Sequence, residues 1–433
     1  MKLGDRLRRT LGEATPEGTA PGSPLRDELE RYGKLRERAA AAARGELGEA
    51  VSLAAVSDGG LIETPRGPAW VVDTRFELTH LHGTRRIGTF FDTELEHLPA
   101  LVADERLHGR DARQALFLDI EATGLDHGAG THAFLIGWGR LDGQELLVRQ
   151  ALLREPAEEE AVLQLLVDEL ERDPLLVSFN GKSYDLTVLQ SRLVIQRFYH
   201  RTDCDLKLRP HLDLLHLGRN LHRGRFPDTR LGTLERQLLG FERIDDVPGH
   251  LVPSCWFHFL RSGDAGPLGG VLLHNLHDVV SMVTLAERLA HEALPLADPT
   301  RDAAVSANLA RLLLRRGMPG PAREVLAPHT PHGLEPDGLR SLVTAARRSG
   351  DAAGYRAALE TLVRAAPEDA AALGSLARLL ARDADTLGRA VELAERAWKA
   401  HPSRVAARRL AMMRRRLAAA SPPSPAEPEE LTR

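Results

Sequence analysis

QALFLDIEATGL, residues 114–125, decides how the rest of this chain is read. Its apolar run, LFLDI, suits a buried strand. Alternation along a strand sends residues i and i+2 to one face, so Asp119 and Glu121 stand side by side at the strand's end. Burying two like charges together is costly unless a cation sits between them. Oxygen donors alone suit a hard ion such as Mg²⁺ or Mn²⁺. Thr123, Gly124 and Leu125 then end the strand in a tight turn. Many strands also end in two acids that are simply solvated, so a metal site needs further ligands from elsewhere in the chain.

Outward from this strand, HAFLIGWGRL (132–141) and ELLVRQALL (145–153) predict two more strands, joined by a turn at Asp142-Gly143. EEEAVLQLLVDELER (158–172) has helical periodicity, with acids in its first turn where the helix dipole favours them. PLLVSFNG (174–181) predicts a fourth strand, YDLTVLQSRLVIQRF (184–198) a helix and HLDLLHLGR (211–219) a fifth strand. LGTLERQLLG (231–240) and GGVLLHNLHDVVSMVTLAERLAHEA (269–293) predict helices. The order implies an α/β unit over residues 112–295, a mixed five-stranded sheet flanked by helices.

Upstream, residues 1–50 read as a flexible leader followed by an exposed, charged helix over 27–46. GLIETPRGPAWVVDTRFELTHLHG (60–83) predicts two short strands within a small β-containing region, 51–111. Downstream, residues 300–420 are rich in Ala, Leu and Arg. Gly317 and Gly350 fall at equivalent turns, and Pro367 and Pro402 end equivalent helices. That spacing is close to the roughly 34-residue period of tetratricopeptide repeats, so an all-α helical-repeat domain is expected. Residues 421–433 read as a disordered tail.

Two further segments add carboxylates. In SFNGKSYDLTVL (178–189), Asn180 and Gly181 make a turn and Asp185 opens a helix, where an acid also stabilises the dipole. In HNLHDVVSM (274–282), Asp278 shares a helix face with His274, one turn earlier; a plain solvated His–Asp pair has the same pattern. Lys and Arg total 57 against 61 Asp and Glu, a formal net charge of −4. That balance excludes a wholesale basic protein but not a local basic patch beside an acidic metal site. Two cysteines, Cys204 and Cys255, are too few for a disulfide framework. With no secretory leader and no stretch of bilayer-spanning apolar length, the reading is a cytoplasmic protein with no membrane partner.

FLDIEATGL, SFNGKSYD and HNLHD, in this order and at these separations, resemble the three sequence blocks of the DEDD exonuclease superfamily. The connecting segment LGTLERQLLGFERIDDVPG is similar to that of ribonuclease H-like proteins of the bacterial YprB type. The resemblance covers about residues 112–290. It implies a ribonuclease H-like fold and 3′-to-5′ exonuclease action on single-stranded DNA or RNA. It makes Asp119, Glu121, Asp185 and Asp278 the ligands of two ions, Mg²⁺ or Mn²⁺. It brings Thr123, Gly124, Leu125, Ser178, Phe179, Asn180 and Gly181 to the terminal nucleotide, although turn-forming work explains several of these equally well. The chain departs from the superfamily at one place. It has His274 four residues before the last aspartate, where one branch has tyrosine, and Leu273 five before it, where the other has histidine. A histidine near pKa 6.5 is the better base at neutral pH, so His274 is the candidate proton acceptor. His277 points away from Asp278.

Arg209, Arg219, Arg223 and Arg225 are candidates for phosphate contact. The arginines of the helical region, among them Arg347, Arg348, Arg408, Arg409, Arg414, Arg415 and Arg416, read as ordinary polar helix faces of a module that binds a protein partner or guides substrate. Two other readings stay open: a structure-specific endonuclease on the same fold, and a binding scaffold with little nuclease activity.

Overall fold

The computed structural model describes residues 50–124, 130–198, 204–244, 246–329 and 333–420. The expected leader helix, the tail and Leu125 lie outside these residues. Strands β1 (Gly60–Thr64), β2 (Gly67–Glu77), β5 (Ala115–Ala122), β6 (Ala133–Asp142), β7 (Glu145–Leu152), β8 (Leu175–Ser178) and β9 (His211–Asp213) form one sheet in the order β1-β2-β7-β6-β5-β8-β9. A separate two-residue pair, β3 (Leu81–His82) and β4 (Arg85–Arg86), makes a hairpin. Pairing in the sheet is antiparallel except at β5–β8 and β8–β9.

The sheet therefore has seven strands rather than five. The two strands of residues 60–77 extend it, because β2 pairs along the whole of β7, from Trp70↔Leu152 to Glu77↔Glu145, and covers an edge that would otherwise be open. A second correction concerns HLDLLHLGR. Only His211–Asp213 is strand. Asp213 then accepts the Leu215 N–H at 3.1 Å and caps a helix, α3 (Leu214–Leu221), whose leucines are its buried stripe.

Helices α1 (Glu159–Leu170), α2 (Asp185–Ile195), α3, α4 (Val252–Ser262) and α5 (Gly266–Ala293) cover the sheet. One hydrophobic core joins Leu116, Leu118 and Leu176 to Val162 and Leu166 of α1 and Leu189 of α2. The other joins Phe117, Val148, Val177 and Leu212 to Val279 and Val283 of α5. Helix α5 is long and apolar enough to cross a bilayer by composition, contrary to expectation, but 78% of its most apolar window is buried inside the protein. It is a core helix.

Seven more helices follow: α6 (Ala303–Arg315), α7 (Pro319–Leu326), α8 (Pro336–Arg348), α9 (Ala352–Ala365), α10 (Ala370–Leu380), α11 (Leu387–Ala400) and α12 (Arg404–Ala420). Three successive pairs begin at 303, 336 and 370, and the unpaired α12 begins at 404. Gly317 and Gly350 sit in the left-handed region, with φ of 76° and 75°, and turn the chain between α6 and α7 and between α8 and α9. This array is not a separate bead. The core that holds Phe117 runs without a break through Leu217 and Leu289, through Leu309 of α6, to Leu410 and Met413 of α12.

Candidate metal centre

Asp119 and Glu121 project from β5 toward the side covered by α5. They alternate with Leu118 and Ile120, which enter the opposite core. The β5–β6 register slips between Glu121 and Ala122, an irregularity typical of strand ends beside functional sites. Opposite Asp119 on β6 is Gly137. A side chain there would begin 2.0 Å from Oδ1 of Asn275, so the glycine makes room for that α5 residue. Asn275 is fully buried. It donates from Nδ2 to Asp119 Oδ2 at 2.8 Å and accepts from Gln150 Nε2 at 2.9 Å. Gln150 also donates to the Leu272 carbonyl at 2.7 Å. The first carboxylate is thus held by a buried amide chain that crosses from β7 through α5 to β5.

One helical turn of α5 carries the other partners. His274 Nε2 lies 3.8 Å from Glu121 Oε1 and 3.6 Å from Asp278 Oδ2. Its Nδ1 is 2.8 Å from Asp246 Oδ1. Among the described residues, Glu121, His274 and Asp278 are the group whose ligand atoms all lie within 4.8 Å of one another. Asp185 comes from the first turn of α2 and is buried. Asp119 and Asp185 fall outside that tight group, yet both bear on it electrically. Burial, then the charges of Asp278, Glu121 and Asp185, push the Asp119 carboxyl well above the usual carboxylate range. Glu121 is raised by burial and then by Asp278 and Asp185. Asp185 is pushed up to about 8, first by burial and then by Asp213 and Asp278.

The cation in the structure is a side chain. The Arg243 guanidinium is hydrogen-bonded to Asp278, to Glu235 at 2.5 Å and to Asp246 at 3.2 Å. Burial alone would lower its pKa, but Asp278 and Glu235 more than reverse that. Burial would likewise lower His274. The Asp246 hydrogen bond and the Asp278 charge outweigh it and raise this imidazole above its ordinary value. His277 is different: burial pushes it down to about 4, and it packs edge-on against Phe241. Arg243, Asp246, His274 and Asp278 line a cleft of about 370 Å³.

The turn after β8 is built for rigidity. Asn180 adopts φ 69°, and its N–H donates to Asp213 Oδ1 at 2.9 Å, while the Lys182 N–H donates to Asp213 Oδ2 at 3.1 Å. Ser178 is buried; its hydroxyl accepts the Gly181 N–H at 3.1 Å and lies 2.7 Å from His211 Nε2. Burial pushes His211 down to about 3, so the ring is neutral. A Cβ on Gly181 would meet Ser178 Oγ at 2.3 Å. Ser178, expected at the terminal nucleotide, is 1% exposed, and its hydroxyl serves the turn. Phe179 packs on the α5 core. Thr123 closes its loop by accepting the His132 N–H at 3.0 Å, and the Gly124 carbonyl accepts the Tyr184 hydroxyl.

Of the arginines expected at phosphate, Arg209 pairs with Asp173 and Arg225 with Asp302, while Arg219 bonds Thr229 at 3.4 Å. Sequence reasoning singled out neither Arg243 nor Asp246, although both lie in the segment GFERIDDVPG. Their signal was a basic residue beside acids, which is ordinary on any loop. Asn275 and Gln150 had a sharper signal, each a lone polar residue on an otherwise apolar face.

A donor set of carboxylates and one imidazole, with Asp119, Glu121 and Asp185 raised by burial and then by neighbouring acids, fits a hard divalent cation. Residues 116–290 match a family model described as the RNase_H superfamily. The chain is also 33% identical over 230 residues to a curated protein of Bacillus subtilis (strain 168) named "Uncharacterized protein YprB". That similarity covers 51% of this chain and 53% of the relative, so the chain spans about half the length of the curated relative it matches. Residues 116–290, the segment that brings β5, α2 and α5 together around these carboxylates, form a ribonuclease H-like domain.

Proposed function

We propose that this protein is a divalent-metal-dependent nuclease of the DEDD type, acting 3′ to 5′ on single-stranded nucleic acid. A ribonuclease H-like domain supports a hydrolase of nucleic acid. The observation that carries the finer reading is the convergence of acids from three separated segments. Burial and one another's charges hold Asp119, Glu121 and Asp185 above the ordinary carboxylate range, with Asp278 among the causes for each.

In this reading Asp119, Glu121, Asp185 and Asp278 hold Mg²⁺ or Mn²⁺, two ions in all. Bound ions supply an activated water and neutralise charge at the phosphate. His274 takes the proton of the attacking water at Nε2, and Asp246 fixes the ring through Nδ1. Asn275 fixes the rotamer of Asp119. Arg243 releases Asp278 and turns to the substrate phosphate, a planar two-pronged donor for a tetrahedral anion. Thr123, Gly124 and Phe179 flank the terminal nucleotide, on the frame set by Ser178, Asn180 and Gly181. The spacing of the helix pairs supports reading residues 303–420 as tetratricopeptide-like repeats.

The test is digestion of 3′- and 5′-labelled single-stranded DNA and RNA, linear and circular, with Mn²⁺, Mg²⁺ or EDTA. Release of mononucleotides from linear strands that needs the metal and is lost in Asp119→Asn is expected. Cleavage of the circle would overturn the exonuclease reading, and full activity in EDTA would overturn the metal reading.

A further inference from the structure

Charge in this chain is unevenly placed. Residues 303–420 contain 20 Arg and Lys and 11 Asp and Glu, a net +9. The chain totals are 57 and 61, which leaves 37 and 50, a net −13, for everything else. The excess is concentrated at the end. Helix α12, Arg404–Ala420, has six arginines and no acid in its 17 residues. Leu410 and Met413 are its buried residues, so one narrow stripe holds it to the array and the rest faces water. Arg414 pairs with Glu395, and Arg416 donates to the Ala381 carbonyl at 2.8 Å. Among the described residues, the guanidiniums of Arg404, Arg408, Arg409 and Arg415 have no ion pair or hydrogen bond, and all four residues are exposed.

A helix that only caps a repeat array needs a polar outer face, and mixed charges do this best. Four arginines on one helix, without a partner among the described residues, repel each other, and Arg404 and Arg408 stand at the i,i+4 spacing where that repulsion is direct. Such a face gains stability when it meets a polyanion. Guanidinium forks match phosphate oxygens, and release of condensed counterions adds to the affinity. Val405 and Met412, 58% and 54% exposed, are two isolated apolar side chains on this helix, too few to bury in a bilayer.

We propose that α12 is an anchor for the phosphate backbone of single-stranded nucleic acid, holding the strand whose end the carboxylate centre cleaves. The proposal deepens the nuclease reading and rests on it for the identity of the polyanion.

The experiment uses the full chain in EDTA, where no turnover occurs. Binding of a fluorescein-labelled 30-nucleotide single strand is followed by anisotropy across a salt series. It compares wild type with Arg404, Arg408, Arg409 and Arg415 all changed to Gln, and with all four changed to Lys. At about 0.1 M salt the glutamine variant should bind at least tenfold more weakly, and its log–log salt slope should shrink by about 3, from roughly 0.7 per phosphate contact. The lysine variant should bind nearly as wild type. In Mn²⁺, hydrolysis of thymidine 5′-monophosphate p-nitrophenyl ester, too small to reach α12, should be unchanged in both variants. Equal affinity and slope for wild type and the glutamine variant would overturn the anchor. So would equal losses in the glutamine and lysine variants, or binding of phosphatidylglycerol vesicles without binding of oligonucleotides. If binding follows the arginines while neither ester nor oligonucleotide is hydrolysed, the anchor stands and the nuclease reading fails.

Discussion

Asp185→Asn should make the metal-free protein more stable, although it removes one of the carboxylates proposed to hold metal. Asp185 is 6% exposed and has Asp213 and Asp278 as its charged neighbours. Its carboxyl rises from the ordinary value of 3.8 to about 8 on folding. At 1.36 kcal/mol per pKa unit, that rise corresponds to a ceiling of about 6 kcal/mol. A folded-state pKa above the unfolded one means that the native protein binds more protons between those two values. Stability is therefore complete below about pH 4 and is lost as pH climbs toward about 8. Asparagine cannot ionise and has nearly the same shape. Allowing for relaxation and entry of water, a gain of about 3 kcal/mol is expected at pH 8, with a difference under about 1 kcal/mol at pH 4. Urea unfolding followed by circular dichroism in EDTA, at both pH values, measures it. Mn²⁺ should stabilise wild type more than the variant, because a cation relieves the same repulsion. If Asp185→Asn were no more stable than wild type at pH 8 in EDTA, the claim that these carboxylates strain the empty centre would be wrong.

Three other perturbations probe the surrounding shell. Arg243→Ala leaves Glu235, whose side chain is 1% exposed, without its counter-charge; urea titration should show a loss of about 3 kcal/mol, partly recovered by adding Glu235→Gln. Gly137→Ala puts a methyl against Asn275 and should cost about 1–3 kcal/mol in urea titrations, while weakening Mn²⁺ binding in calorimetry by loosening Asp119. Asp246→Asn removes the hydrogen-bonded anion that raises His274, so its NMR titration midpoint in the metal-free protein should fall. The stability due to protonated His274 is complete below its unfolded pKa near 6.5 and lost as pH rises through the higher folded value, so the same variant should flatten that loss.

The central strands were legible because alternation and tight turns are local. Asp142-Gly143, with Gly143 at φ 65°, closes the β6–β7 hairpin where the sequence placed it. The acids were legible as an ordered set of short blocks: 119 and 121 at the end of β5, 185 at the start of α2 and 278 midway along α5. The joining of β2 to β7 was not, because edge pairing is a choice between distant segments. HLDLLHLGR was misread because alternation and helical spacing both fit its leucines. The deciding residue, Asp213, acts as a cap through a hydrogen bond that no periodicity reveals. Arg243 and Asp246 enter the centre from a loop, where sequence carries no face to count along.

Helix α5 is 28 residues, about 42 Å of stiff rod at 1.5 Å per residue. It bears His274 and Asp278 near its middle, and farther along it Leu289 belongs to the same apolar core as Leu309 of α6. That shared core behaves as a weld, not a tether. A strand gripped at α12 and cut at β5 would then be spanned by a calliper of fixed opening. Oligonucleotides shorter than the opening could touch one jaw only. Their affinity should drop abruptly at a threshold length, where a flexible tether would give a gradual decline.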